Sequence, residues 1–159
     1  MKKLLLLTLL VFSTSAMYAQ TITADANVVT ALTLTGVNDL DFGSVVQNTL
    51  YTIAYNTASA GSFSITGGTA STEIAFSLDL PTELTGTGDP IGITYTAGWH
   101  TANDATASTA FTTSPTTEQV EDLNGSGALY VFIGGAITPD AAQTVGAYSA
   151  TITLTAAYN

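Results

Sequence analysis

Lysine and arginine are almost missing from this sequence of 159 residues. There are two, Lys2 and Lys3, and both stand at the N-terminus. Beyond them no side chain is permanently positive, while all twelve Asp and Glu remain. Nucleic-acid binding needs cations to displace the counterions of the phosphate backbone, so that class is excluded. Arg or Lys clamps on phosphate and carboxylate groups are excluded too, as is Schiff-base chemistry on lysine. Side-chain ion pairs reduce to those of His100, the one histidine. Cysteine is absent. No disulfide or thiolate metal site can therefore support the fold, and burial and backbone pairing must do so.

The two lysines head a segment of their own, "MKKLLLLTLLVFSTSAMYAQ". A basic start, an apolar run from Leu4 to Phe12 and small residues up to Ala19 describe a secretory signal peptide over 1–19. Ala16 is the other cleavage position. The apolar run is much shorter than the roughly 20 residues that span a bilayer, so no membrane span is expected once this leader is removed. The protein is then exported to the periplasm, the outer cell surface or the medium. Its mature part, residues 20–159, carries a charge of about −12. Hydrophobic residues at 46% against 9% charged fit one globular domain with its own core rather than disorder.

Thr makes up about a fifth of the mature part, which favours pleated, half-solvated surfaces. Helix signals are scarce, and alternating stretches recur between Gly, Asn, Asp and Pro. "TITADANVV" alternates Ile22, Ala24, Ala26 and Val28. "ALTLTG" and "DLDFGSVV" follow, then "LYTIAYN", "GSFSITGG", "EIAFSLDLP" and "IGITYTAGWH". "ALYVFIGG" is apolar throughout and reads as a strand buried on both faces. "GAYSATITLTAAYN" closes the chain, with Tyr148, Ala150, Ile152, Leu154, Ala156 and Tyr158 on one face after Gly146. Eight or more such strands predict an all-β fold, an antiparallel immunoglobulin-like β-sandwich, with a closed barrel as the alternative. The Thr-rich stretch 101–119 reads as a surface connection with one strand near Phe111. A helical turn from Ser114-Pro115 to Leu123 would end at Asn124-Gly125.

Chemistry-bearing patterns are few. His100 with Asp104 lacks a nucleophile elbow and reads as structural. Asp39 and Asp41 would sit about 7 Å apart on one strand face, a spacing of interest to a glycosidase only inside a cleft. Asp122, Asn124 and Ser126 alternate in "EDLNGSG", but the distal bidentate Glu of a calcium loop is missing. Trp99, Tyr95 and Tyr51 would stack sugars if exposed, yet aromatics at period two are usually core. No catalytic residue, cofactor or metal site is expected.

Two stretches carry a family resemblance. "LDFGSVV" preceded by "ALTLTG" resembles the Leu-x-Phe-Gly signature of an exported bacterial domain family of unknown function. "GALYVFIGGAITPDAAQTVGAYSATITLTAAYN" resembles its C-terminal half. That family is similar to spore coat protein U domains and chaperone–usher pilins. Pilins carry a Gly fourteenth from the end and a penultimate Tyr, the places held here by Gly146 and Tyr158. The resemblance implies a non-enzymatic structural or adhesion-type subunit of fimbrial or coat type, associating by β-strand addition. Its partner would be another copy or a periplasmic chaperone. Gly146, Tyr148, Ala150, Ile152, Leu154, Ala156 and Tyr158 would form the receiving edge, and Ile22, Ala24, Ala26 and Val28 the donated strand. A surface module binding glycan, or calcium weakly through its acidic surface, is the alternative.

Overall fold

The computed structural model describes residues 20–113 and 118–159. The expected leader over 1–19, and the start of the helical turn expected at Ser114-Pro115, lie outside the described residues. Among the described residues the regular structure is eleven strands and one 3-10 turn. The strands are β1 Thr33–Asn38, β2 Tyr51–Ile53, β3 Gly61–Thr66, β4 Glu73–Asp79, β5 Glu83–Gly86, β6 Ile91–His100, β7 Thr109–Phe111, β8 Gln119–Asp122, β9 Leu129–Ile137, β10 Tyr148–Ser149 and β11 Thr153–Tyr158. All pairs are antiparallel. The fold is all-β and consistent with a sandwich.

The two sheets are unequal. The large one runs β1-β3-β9-β6-β5-β10, with β2 beside β9 and β7 beside β6. The small one has three strands, β11-β4-β8. Ile65, Leu129, Val131, Ile133 and Ala97 from the large sheet meet Ile74, Phe76, Leu78 and Leu154 from the small one. Each fully buried side chain of that size contributes about 1.5–3 kcal/mol. Phe76 and Phe111 meet edge to face, with ring centres 5.6 Å apart. A smaller cluster, Ile91, Ile93 and Ile137, is packed by Tyr51, Leu84 and Tyr148.

β9 is buried on both faces, as its unbroken apolar run predicts. Leu129, Val131 and Ile133 face the small sheet, while Phe132 on the opposite face is also 3% exposed. The backbone of Ile53–Tyr55 crosses that outer face directly over Gly134.

Besides the stretch at residues 20–31, which forms no strand, three expected elements differ in the structure. Residues 39–46 form no strand, although Leu40 and Phe42 are half-buried and Asp39 and Asp41 exposed. Asp41 Oδ1 accepts from the Gly43 amide at 2.8 Å, and Gly43 has φ of +64°. That side-chain turn replaces ladder pairing. Residues 119–122 are strand β8 rather than helix, because Gln119–Asp122 pairs with β4 and tertiary pairing overrides a weak capping signal. The closing stretch is two strands, not one: Tyr148–Ser149 pairs with β5 in the large sheet, and Thr153–Tyr158 with β4 in the small sheet. Residues 150–152 carry the chain between the sheets.

Candidate functional site

The acceptor residues expected from the sequence fall into three settings. Gly146 lies against Thr87, with no room there for a Cβ. Tyr148 is fixed by two hydrogen bonds: its Oη donates to Thr144 O at 2.8 Å and accepts from Gln143 Nε2 at 2.9 Å. Ala150 is exposed and Ile152 half-buried in the crossing. Leu154, Ala156 and Tyr158 face inward on β11, with Leu154 buried. These seven residues thus do not form one continuous strand: Tyr148 lies at the β5 edge of the large sheet, and Leu154, Ala156 and Tyr158 lie in the small sheet.

β11 is an edge. Among the described residues it pairs only with β4. β1 is the edge of the large sheet on the same side and pairs only with β3. Leu34 stands opposite Ile65, and Gly36 opposite Phe63. Cross-strand partners share a face, so Leu34 and Gly36 point the same way as fully buried Ile65. Leu34 is nevertheless 37% exposed, and Gly36 is exposed. The cause is the width of the small sheet, which stops at β11 and leaves the inner face of β1 uncovered. A 450 Å³ cavity lies there, bounded by Gly36, Leu40, Phe63 and Ile133 on one side and Ala150 and Ile152 on the other. A second cavity of 370 Å³ continues past Leu40 and Ile152 toward Ile93, Tyr95 and Tyr148. The Tyr95 hydroxyl is shielded without a partner, and burial pushes its pKa above the ordinary tyrosine value.

The expected donor residues form no strand. Among the described residues, 20–31 take part in no ladder and are exposed, Ile22 at 97% and Val28 at 92%. Where this arm joins the sandwich it is held by Tyr158. The Tyr158 hydroxyl donates to Thr30 O at 2.7 Å and accepts from the Thr69 amide at 2.8 Å. Thr30 N in turn donates to Thr69 Oγ1 at 3.1 Å. Tyr158→Phe should leave the Thr69 amide without its acceptor and speed its hydrogen exchange on the order of tenfold, with core amides unchanged. Unchanged exchange at Thr69 would show that the bond does not hold in solution.

The remaining residues of interest serve turns and core. His100 Nδ1 accepts from the Ala102 amide at 3.0 Å. Asp104 caps the 3-10 turn Ala105–Ala107, and hydrogen bonds from the Thr106 hydroxyl and amide hold its carboxyl below the usual range. Asn124 Oδ1 accepts from the Ser126 and Ala128 amides, while its Nδ2 donates to Thr101 O. Trp99 packs against the main cluster and Tyr51 against the smaller one. Among the described residues no three His, Cys, Asp or Glu side chains converge as metal ligands, and no helix is long and apolar enough to cross a membrane.

The same span of chain, from the start of the sandwich to its last strand, is what comparison with known families recovers. A family model described as a domain of unknown function, DUF4402, matches residues 32–158. The chain belongs to this family. No curated protein matches it. The DUF4402 match begins at Leu32, so the alternating arm Ile22–Val28 precedes it, whereas β1, Phe63 and β11 lie within it. Gly36, Leu40 and Phe63 were not readable as site residues. The gap they border lies between segments from 87 residues apart (Phe63 to Ala150) to 116 apart (Gly36 to Ile152), and no local pattern marks it.

Proposed function

We propose that this DUF4402 protein is an exported, non-enzymatic structural or adhesion-type subunit of fimbrial or coat type that associates by β-strand addition. The carrying observation is the coexistence of an open edge at β11 with an exposed, alternating, unpaired arm. An edge offers unused backbone N–H and C=O groups, and an alternating apolar segment supplies the matching strand. Two further sequence features support the reading: the leader over 1–19, and the likeness to spore coat protein U domains and pilins at Gly146 and Tyr158. The test is the mass and shape of the protein released from its native surface. Filaments or ladders of oligomers are expected, and a monomer that stays monomeric at high concentration would overturn the reading.

Electrostatics gives a second test. Mature copies are each strongly negative and have no Lys or Arg, so approaching copies repel. Screening shortens with salt, from about 10 Å at 0.1 M to about 3 Å at 1 M. Assembly followed by light scattering should therefore accelerate with NaCl, on the order of tenfold between about 0.05 and 0.5 M. Acceleration at low salt instead would mean that opposite charges drive the contact, against this composition.

A further inference from the structure

We infer that the cavity bounded by Tyr95 and Tyr148 binds a small uncharged ketone or ester, its apolar body against Ile91, Ile93 and Ile137 and its carbonyl oxygen at the Tyr95 hydroxyl. This goes beyond strand addition and does not rest on it. The cavity has a volume of 370 Å³, inside the range of about 300–1,000 Å³ usual for small-molecule sites. Its origin lies in the unequal sheets. Ile91, Ile93 and Ile137 belong to the large sheet, and no residue of the small sheet packs against them. Two other segments cover them instead, one from Leu40 to Val45 and one from Gly146 to Ile152. Both are tied down. Asp41 closes its turn on the Gly43 amide, and the Val46 amide donates to Tyr51 Oη at 2.8 Å. The Tyr148 hydroxyl is fixed by Gln143 and Thr144. Walls held in this way do not collapse onto the isoleucines, so the cavity is preformed.

The lining decides the chemistry of the occupant. The three isoleucines, Leu84, Phe42 and Val45 make an apolar enclosure. Tyr95 adds a hydroxyl that is shielded from solvent and, among the described residues, has no hydrogen-bond partner. An unpaired polar group in apolar surroundings is costly, and an acceptor on a ligand removes that cost. Bulk water does not reach the hydroxyl, so the acceptor has to arrive attached to an apolar body. Leu40 and Phe42, half-buried in the same lining, are the side chains able to rotate as that body enters. Burial raises the Tyr95 pKa, which keeps the proton on the oxygen and makes the group a donor. A carbonyl oxygen accepts and needs no acceptor in return, so it matches one such donor. Charged heads do not fit. The mature part has no Lys or Arg to neutralise a carboxylate or phosphate, and Asp41 in the lining repels one. An ammonium carries three donors and meets a single shielded oxygen.

Acetophenone and ethylbenzene are similar in shape and differ in the carbonyl, so the pair tests the site when titrated into the mature protein and followed by amide NMR shifts. Acetophenone should move the amides of Ile93, Tyr95, Gly146 and Tyr148 and leave those of β4 and β8 in place. Tyr95→Phe should weaken acetophenone about fivefold, the loss of one hydrogen bond, and leave ethylbenzene unchanged. Phenylacetate, the same ring with a carboxylate, should bind at least about tenfold more weakly than acetophenone. Without ligand, Tyr95→Phe should melt at or above the parent, because it removes an unpaired group. Shifts confined to other strands, or none up to the solubility limit, would overturn the site. An equal effect of Tyr95→Phe on both compounds would overturn the role given to the hydroxyl, and phenylacetate binding as tightly as acetophenone would overturn the uncharged class. Tyr95→Phe melting several degrees below the parent would mean that the hydroxyl is already bonded within the fold, and would overturn the inference as well. None of these outcomes depends on filament formation, so strand addition stands or falls separately.

Discussion

Removal of Gln20–Val28, with the leader joined directly to Val29, should stop assembly and leave the monomer's melting temperature within about 2 °C of the parent. The two halves of this result have separate physical causes. The arm makes no ladder pairs among the described residues, and its two largest apolar residues, Ile22 and Val28, are almost wholly exposed. Removing them takes nothing from the core, and surface changes away from packed features usually stay within about 0.5 kcal/mol. Thr30 is retained, so the bond from Tyr158 survives. Assembly should depend on the arm in a different way. A donated strand supplies backbone hydrogen bonds and side-chain contacts together. Loss of filaments with melting unchanged is the expected outcome by electron microscopy and calorimetry. A monomer that unfolds would mean that the arm belongs to its own sandwich. Filaments that persist would mean that another segment joins the copies.

Much of the fold was legible because single strands report their own burial. β9 reads as doubly buried from "LYVFIGG", and Ile74, Phe76 and Leu78 reveal their inward face by alternation alone. What failed was information held between segments. β5 carries one apolar residue, Leu84, in four, so its pairing with β6 and β10 leaves no periodic trace. The alternation from Tyr148 to Tyr158 continues unbroken although its pairing partner changes from β5 to β4. A chain that crosses from one sheet to the other keeps its apolar side toward the same interior, and periodicity cannot register the crossing. The arm shows the converse. Its alternation is as regular as that of a core strand, yet among the described residues it has no strand partner. Periodicity identifies a face that seeks cover and is silent about which molecule covers it. The gap beside β1 was least legible of all, since Leu34 and Phe63 look like ordinary strand residues until the narrowness of the facing sheet is known.

Gly134→Ala should destabilise the protein by about 1–3 kcal/mol, while Gly92→Ala should lie within about 0.5 kcal/mol of neutral or slightly above it. The substitutions add the same methyl group to strands that pair with each other. Gly134 lies in β9, pairing with Thr96 of β6, and a Cβ there would strike Ile53 O and Tyr55 N, with Ala54 C at 2.8 Å. All three are backbone atoms, so no side-chain rotation relieves the clash. The crossing segment must lift, and β2, which pairs with β9 only from Tyr51 to Ile53, must loosen with it. Gly92 lies in β6, where a Cβ would meet nothing within 4 Å. Ala there costs no contact and removes some freedom from the unfolded chain. Urea unfolding of both variants reads the difference. For a chain of this size it corresponds to a melting shift of about 2–4 °C per kcal/mol. Equal effects from the two would mean that the Ile53–Tyr55 crossing is not seated on β9 in solution. The glycine is thus required by a close approach of backbone to backbone rather than by a turn, although its place after an apolar run is what a turn would also have produced.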